Sequence, residues 1–161
     1  MSSKRIDTMK LVLSIVLPQL VGILSGLASV GGTREWYSTL VKPSFTPPSW
    51  VFGPAWTLLY LLMGIALYLV WRKGLSEPGV KVSVVVFMIQ IGLNGIWSPL
   101  FFGMHAPGLA LIDILLLWCA IAVTVYLFFA QSRTAGALLL PYWAWVSFAT
   151  VLNYSFWSLN S

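Results

Sequence analysis

Five stretches of this chain run without a charged residue: Leu11 to Thr33, Pro43 to Trp71, Val82 to Ile112, Ile114 to Ser132 and Thr134 to Ser161. In the hydrocarbon of a bilayer no water satisfies the backbone, so a crossing segment must be a helix or part of a closed barrel, and a helix needs about 20 apolar residues to cross about 30 Å. The third stretch is broken by Gly103-Met104-His105-Ala106-Pro107, where glycine and proline end one helix and begin the next. The pattern predicts helices near 9–28, 47–71, 81–102, 107–130 and 135–158, in one domain spanning 1–161. The expected fold class is an all-α integral membrane protein, a bundle of five transmembrane helices. Composition excludes the soluble alternative, because 59% of residues are hydrophobic and only 8% charged, against roughly 25% charged in an ordinary soluble domain.

The formal charge of +5 does not indicate nucleic acid, since the basic residues flank helix ends instead of forming a patch. Lys4, Arg5, Lys10, Arg72, Lys73, Lys81 and Arg133 fall on the N-terminal side of the predicted membrane, and only Arg34 and Lys42 on the other. The positive-inside rule then puts the N-terminus inside and the C-terminus outside. The opening segment has the basic start of a signal peptide, but its uncharged core is longer than a typical h-region, so it reads as the first membrane helix. The single cysteine, Cys119, excludes a disulfide within the chain.

Between the first two helices, residues 29–46 are crowded with aromatics and followed closely by more: Trp36, Tyr37, Phe45 and Trp50, with Pro43, Pro47 and Pro48 among them. Proline fixes φ and removes a donor, so the connection is expected to be an ordered, non-helical lid that presents aromatic rings at the membrane surface.

The third helix carries Gln90, Asn94 and Ser98 at i, i+4 and i+8, a polar stripe on one face. Polar side chains at membrane depth face protein or a water-filled cavity. The stripe therefore either lines a cavity or hydrogen-bonds neighbouring helices, the latter worth about 0.6 kcal/mol or somewhat more per bond. Trp56 with Tyr60, and Trp145 with Ala149, are i, i+4 pairs. By depth these pairs can converge with Asn94 and Ser98 on one site, where indole faces and an N–H donor suit a flat aromatic ligand and the small Ala149 leaves room for it. Against this stands the ordinary use of tryptophan as interfacial anchor or core filler, to which Trp50, Trp71, Trp118, Trp143 and Trp157 are assigned.

Asp113 is the only acidic residue inside a predicted span. A carboxylate at mid-helix costs about 2.5–3.5 kcal/mol on insertion scales. It is read as structural, snorkelling or paired with Arg34 or Lys42 of the lid. His105 stands in a loop with no second metal ligand at a recognisable spacing, which argues against axial iron ligation and leaves no metal site. No Gly-rich phosphate loop and no Ser/His/Asp or Cys/His set is present, so hydrolysis and ATP-driven transport lack their parts. Five helices also do not divide into two equal repeats, as many secondary transporters do.

Four motifs carry a family resemblance: Trp36-Tyr37-x-x-Leu40-x-Lys42-Pro43-Ser44-x-x-Pro47-Pro48-x-x-Val51-Phe52-x-Pro54-x-Trp56, Asn94-x-x-Trp97-Ser98-Pro99-x-Phe101-Phe102-Gly103, Ala110-Leu111-x-Asp113, and Pro141-Tyr142-x-x-Trp145-x-x-Phe148-Ala149-Thr150-x-Leu152-Asn153. In order and spacing they resemble the TspO/MBR family, the tryptophan-rich sensory proteins and translocator proteins once called peripheral benzodiazepine receptors. The resemblance implies a five-helix protein, often a homodimer, that binds porphyrins such as protoporphyrin IX and haem, sterols and benzodiazepine-type ligands in a cavity. It implies ligand contacts from Trp36, Tyr37, Trp97, Phe148 and Leu152 beside Trp56, Tyr60, Asn94, Ser98, Trp145 and Ala149. It implies no obligatory cofactor, the porphyrin or haem being ligand.

Sterol is the secondary expectation. Leu152 and Tyr154 match the animal members' cholesterol motif, but Ser158 stands at its basic position, and the loose pattern also fires at Leu62, Tyr68 and Arg72. Gly22 and Gly26 form a small-xxx-small pair suited to close packing or dimerisation. Three functions follow: a tetrapyrrole sensor or transporter, which leads; an enzyme of light- or oxygen-dependent porphyrin breakdown with Trp56 and Trp145 as catalytic candidates; and a membrane scaffold.

Overall fold

The computed structural model describes residues 3–29 and 33–161. Its elements are α1 (Ser3–Ala28), α2 (Thr33–Thr39), α3 (Ser49–Trp71), α4 (Val80–Ser98) with a π-helical turn (Pro99–Gly103), α5 (Pro107–Gln131) and α6 (Arg133–Asn160). All but α2 are long and apolar enough to cross a membrane. Among the described residues there is no strand.

The five long helices close into a ring: α1 packs on α3, α3 on α6, α6 on α5, α5 on α4, and α4 back on α1. The α5–α6 hairpin turns on Ser132 alone, whose hydroxyl accepts from the Ala135 N–H at 3.3 Å and so caps α6. On the α1–α3 seam, a Cβ on Gly64 would lie 2.7 Å from both the Ser14 carbonyl oxygen and the Ile15 Cα. Only glycine permits that approach.

In the half of the ring away from the lid the interior is solid. Met63, Phe87 and Phe128 are fully buried, and the two phenylalanines stack at 5.8 Å. That end is tied off by polar contacts to backbone: Lys10 Nζ to the Trp71 carbonyl at 3.3 Å, Lys73 Nζ to the Gln131 carbonyl, and Gln131 Nε2 to the Pro78 carbonyl at 3.1 Å. Tyr68 Oη donates to Asp7 at 2.8 Å. These bonds explain why α1 starts at Ser3, well before the expected 9: its first charged turns are held to the end of α3.

The lid departs from expectation. It was expected to be non-helical throughout, yet residues 33–39 form α2, with Glu35 in its first turn where the helix dipole favours a carboxylate. Proline first appears at Pro43, so only the later part of the lid is held extended by proline geometry. The break between α4 and α5 lies where the glycine and proline predict it. Pro99 offers no N–H, and the chain widens into a π-turn closed by the Met104 N–H on the Pro99 carbonyl at 2.8 Å. His105 then takes φ +52°, and Pro107 opens α5.

Candidate functional site

The lid half of the ring is hollow. A cavity of about 560 Å³ lies among α1, α3, α4, α5 and α6, within the roughly 300–1,000 Å³ usual for small-molecule sites. Its floor is a hydrogen-bonded chain of buried side chains. Tyr60 Oη donates to Asn94 Oδ1 at 2.7 Å, Asn94 Nδ2 to Tyr142 Oη at 3.0 Å, and Tyr142 Oη to Gln90 Oε1 at 2.8 Å. The polar stripe on α4 thus serves both readings at once. Asn94 and Ser98 line the cavity, Asn94 also binds α3 and α6, and Gln90 lies beneath, against Tyr142 and Met63.

The walls are aromatic. Trp56 stacks on Tyr60 at 5.4 Å and meets Tyr142 edge-on at 6.3 Å. Trp97 stacks on Phe101 at 5.2 Å, and its Nε1–H donates to Asn153 Oδ1 at 2.9 Å while Asn153 Nδ2 donates to the Pro107 carbonyl at 2.9 Å. One amide thereby fixes α4, α5 and α6 around the cavity. From α6 come Trp145, Ala149 and Leu152, with Phe52 of α3 edge-on to Trp145 at 6.0 Å. The Trp145 Nε1 is buried without a hydrogen-bond partner among the described residues.

The lid roofs this space through Tyr37, whose ring meets Phe102 and Phe156 at 5.6 Å each and carries Lys42 Nζ 4.5 Å above its face. Burial raises the Tyr37 phenol above its ordinary pKa of 10.0. The lid is latched to the end of α6: the Asn160 side chain accepts from the Val41 N–H at 2.8 Å and donates to the Val41 carbonyl at 3.0 Å.

Of the residues predicted to contact ligand, Tyr37, Trp56, Tyr60, Asn94, Trp97, Ser98, Trp145, Ala149 and Leu152 line this one cavity, and Trp36 and Phe148 do not. Trp36 stacks on His105 at 4.5 Å and abuts Phe101, while Phe148 packs between Phe45 and Trp145. Both support rings that do line it. None of Trp50, Trp71, Trp118, Trp143 and Trp157 reaches the cavity. Trp118 instead donates to Ser147 Oγ at 2.8 Å.

Sequence reasoning missed lining residues of two kinds. Phe52 and Asn153 continue the stripes through Trp56 and Ala149 by one helical turn and Phe156 by two, so periodicity could have found them. Gln19, Ser25 and Gly26 of α1 lie on or beside a run of small and polar residues at helical spacing, Ser14, Pro18, Gly22, Ser25 and Ser29, a signal present in the sequence but taken up above only as the Gly22–Gly26 packing pair.

Asp113 is 7% exposed, just outside the lining, and its Oδ2 has no hydrogen-bond partner among the described residues. Lys42, one expected partner, sits over Tyr37 instead; the side chain of Arg34, the other, lies outside the described residues. The sterol pattern is divided by the helix: Leu152 lines the cavity, whereas Tyr154 is exposed.

Matches to known proteins agree with this architecture. The model of the TspO/MBR family matches residues 14–158. The tryptophan-rich protein TspO of Archaeoglobus fulgidus is 42% identical over 156 residues, covering 96% of this chain and 99% of that one. The human translocator protein is 45% identical over 132 residues, covering 81% of this chain and 78% of that one. The tryptophan-rich sensory protein of Cereibacter sphaeroides is 38% identical over 126 residues, covering 78% and 77%. With the family model spanning nearly the whole chain and the five apolar helices in place, this multi-pass integral membrane protein belongs to the TspO/MBR family.

Proposed function

We propose that the chain binds tetrapyrroles, protoporphyrin IX and haem, in the cavity beneath its lid, and that this binding serves porphyrin transport, sensing or stress regulation. The observation that carries the reading is the site itself: about 560 Å³ walled by Trp56, Tyr60, Trp97 and Trp145. Flat conjugated rings gain affinity from aromatic faces and from burial. The unused Trp145 Nε1–H is a donor for a polar group of such a ligand. Relatives named translocator protein and tryptophan-rich sensory protein favour a transport or sensing role in the membrane. Sterol is a secondary ligand in this reading, because Tyr154 faces away from the cavity that Leu152 lines and Ser158 supplies no cation.

Titration of the purified protein with protoporphyrin, haem and cholesterol, followed by quenching of tryptophan fluorescence in the dark and under light, tests it. Saturable quenching by the two tetrapyrroles, stronger than by cholesterol, is the expected result. The absence of saturable tetrapyrrole binding would refute the proposal, and a new bilin-like absorbance after illumination would move the reading to an enzyme.

A further inference from the structure

The cavity is not sealed by the lid alone. The exposed residues in its lining are Ile23 and Gly26 of α1 and Ser49, Gly53 and Thr57 of α3. Those contributed by α4, α5 and α6 are buried or half-buried. Among the described residues the cavity wall is therefore open along a line between α1 and α3. A Cβ placed on Gly26 or on Gly53 would meet nothing within 4 Å among the described residues, so at the lid end the two helices stand apart, in contrast to their contact at Gly64. The gap ends where Gln19 Nε2 donates to the Thr57 carbonyl at 3.1 Å and rejoins them.

The depth of this slot decides what it faces. At 1.5 Å per residue, Ser49 to Thr57 extends about 12 Å along α3 from its lid end, which is beyond the interface and into the hydrocarbon of one leaflet. The outward faces beside it are apolar and exposed: Leu24 and Leu27 on α1, Trp50 and Leu58 on α3. Around the slot itself the polar groups are neutral: Gln19, Ser49 and Thr57. Such an edge suits lipid on its outside and an uncharged or weakly polar face sliding past it.

We propose that the α1–α3 slot is the cavity's doorway, and that it admits flat amphiphiles already dissolved in the lid-side leaflet, edge first, without opening of the lid. The proposal rests on the cavity being a tetrapyrrole site, as argued above. It makes bilayer partitioning the first step of recognition and confines the ligand class to molecules thin enough to pass between two helices.

Two measurements on the whole 161-residue chain in lipid nanodiscs test it. The first needs no ligand: a nitroxide on Gly53→Cys is expected to collide more with oxygen, which concentrates in lipid, than with a water-soluble nickel chelate. The reverse preference would show that the slot opens to water and would overturn the proposal. The second follows protoporphyrin delivered from donor vesicles by stopped-flow quenching. Gly26→Phe and Gly53→Phe, at positions where a Cβ would meet nothing within 4 Å among the described residues, are expected to slow both association and dissociation at least tenfold, because a plugged doorway obstructs both directions. Asn160→Ala, which removes the two hydrogen bonds between the lid and the end of α6, is expected to leave the association rate unchanged. Faster association in Asn160→Ala with unaltered rates in the two plugged variants would assign entry to the lid. Faster dissociation alone in the plugged variants would make those residues ligand contacts, and either result overturns the doorway. If the unmodified protein binds no protoporphyrin, the tetrapyrrole assignment fails, while the nitroxide result still decides where the slot opens.

Discussion

Tyr142→Phe removes one oxygen atom from a fully buried ring and leaves its shape unchanged, so its cost isolates the hydrogen bonds beneath the cavity. Two bonds are lost: the one accepted from Asn94 Nδ2 at 3.0 Å and the one donated to Gln90 Oε1 at 2.8 Å. Interhelical bonds in membrane proteins average about 0.6 kcal/mol and reach about 1.7. Of the two abandoned partners Gln90 stays buried beneath the cavity while Asn94 lines it, so one partner keeps the full penalty of an unmade bond, and the expected destabilisation is about 1–3 kcal/mol. Tyr60→Phe deletes one bond, to Asn94 Oδ1, and its hydroxyl borders the cavity, so it should cost about half as much. Reversible unfolding in mixed detergent and SDS micelles gives both values, and an Asn94→Ala, Tyr142→Phe double-mutant cycle should return a coupling of similar sign because the two share a bond. If Tyr142→Phe falls within about 0.3 kcal/mol of the parent, or if Tyr60→Phe costs more than it does, the floor is not held by this chain and the reasoning fails.

Trp56→Leu and Trp145→Leu should each weaken protoporphyrin binding in a folded protein, whereas Trp118→Leu, whose indole binds Ser147 away from the cavity, should leave it unaffected. Equal losses from all three in the quenching titration would indicate general destabilisation instead. Ala149→Leu should lower affinity for planar ligands by about 1–3 kcal/mol, the usual overpacking penalty, without a comparable fall in apo melting temperature. A large apo loss with unchanged affinity would make Ala149 a helix-seam residue. Cysteines at Ser38 and Ser161, at the lid end, should both react with an impermeant reagent added outside, and one at Ser76 should not. The opposite pattern would invert the proposed orientation, and unlike labelling of Ser38 and Ser161 would break the bundle.

What could be read from the sequence was what a one-dimensional period or a chemical punctuation mark records. The five spans appear as uncharged runs, the α4–α5 break as Gly103 and Pro107, and much of the cavity wall as i, i+4 pairs on α3, α4 and α6. The hidden features are those set by which helices become neighbours. α2 was obscured because nearby prolines suggested an extended lid, and the α1 wall because its small and polar face, Ser14, Gly22, Ser25 and Gly26, reads equally as a packing seam. Gly22 and Gly26 illustrate the difference. As a small-xxx-small pair they read as one seam, yet the structure gives them separate surroundings. A Cβ on Gly22 would come within 2.2 Å of the Tyr60 ring, whereas one on Gly26 would meet nothing within 4 Å among the described residues. Tyr60 cannot yield freely, being stacked on Trp56 and bonded to Asn94. Gly22→Ala should therefore push the Tyr60 ring towards the cavity, breaking the Asn94 bond, lowering stability by about 1–3 kcal/mol and weakening protoporphyrin binding together with it. Gly26→Ala should be neutral or slightly stabilising, since alanine is the better helix former by about 1 kcal/mol. Thermal unfolding, protoporphyrin affinity and oligomer size measured on both variants separate the alternatives. Equal effects at the two positions, accompanied by dissociation of a dimer, would restore the single packing seam and remove Gly22 from the account of the cavity.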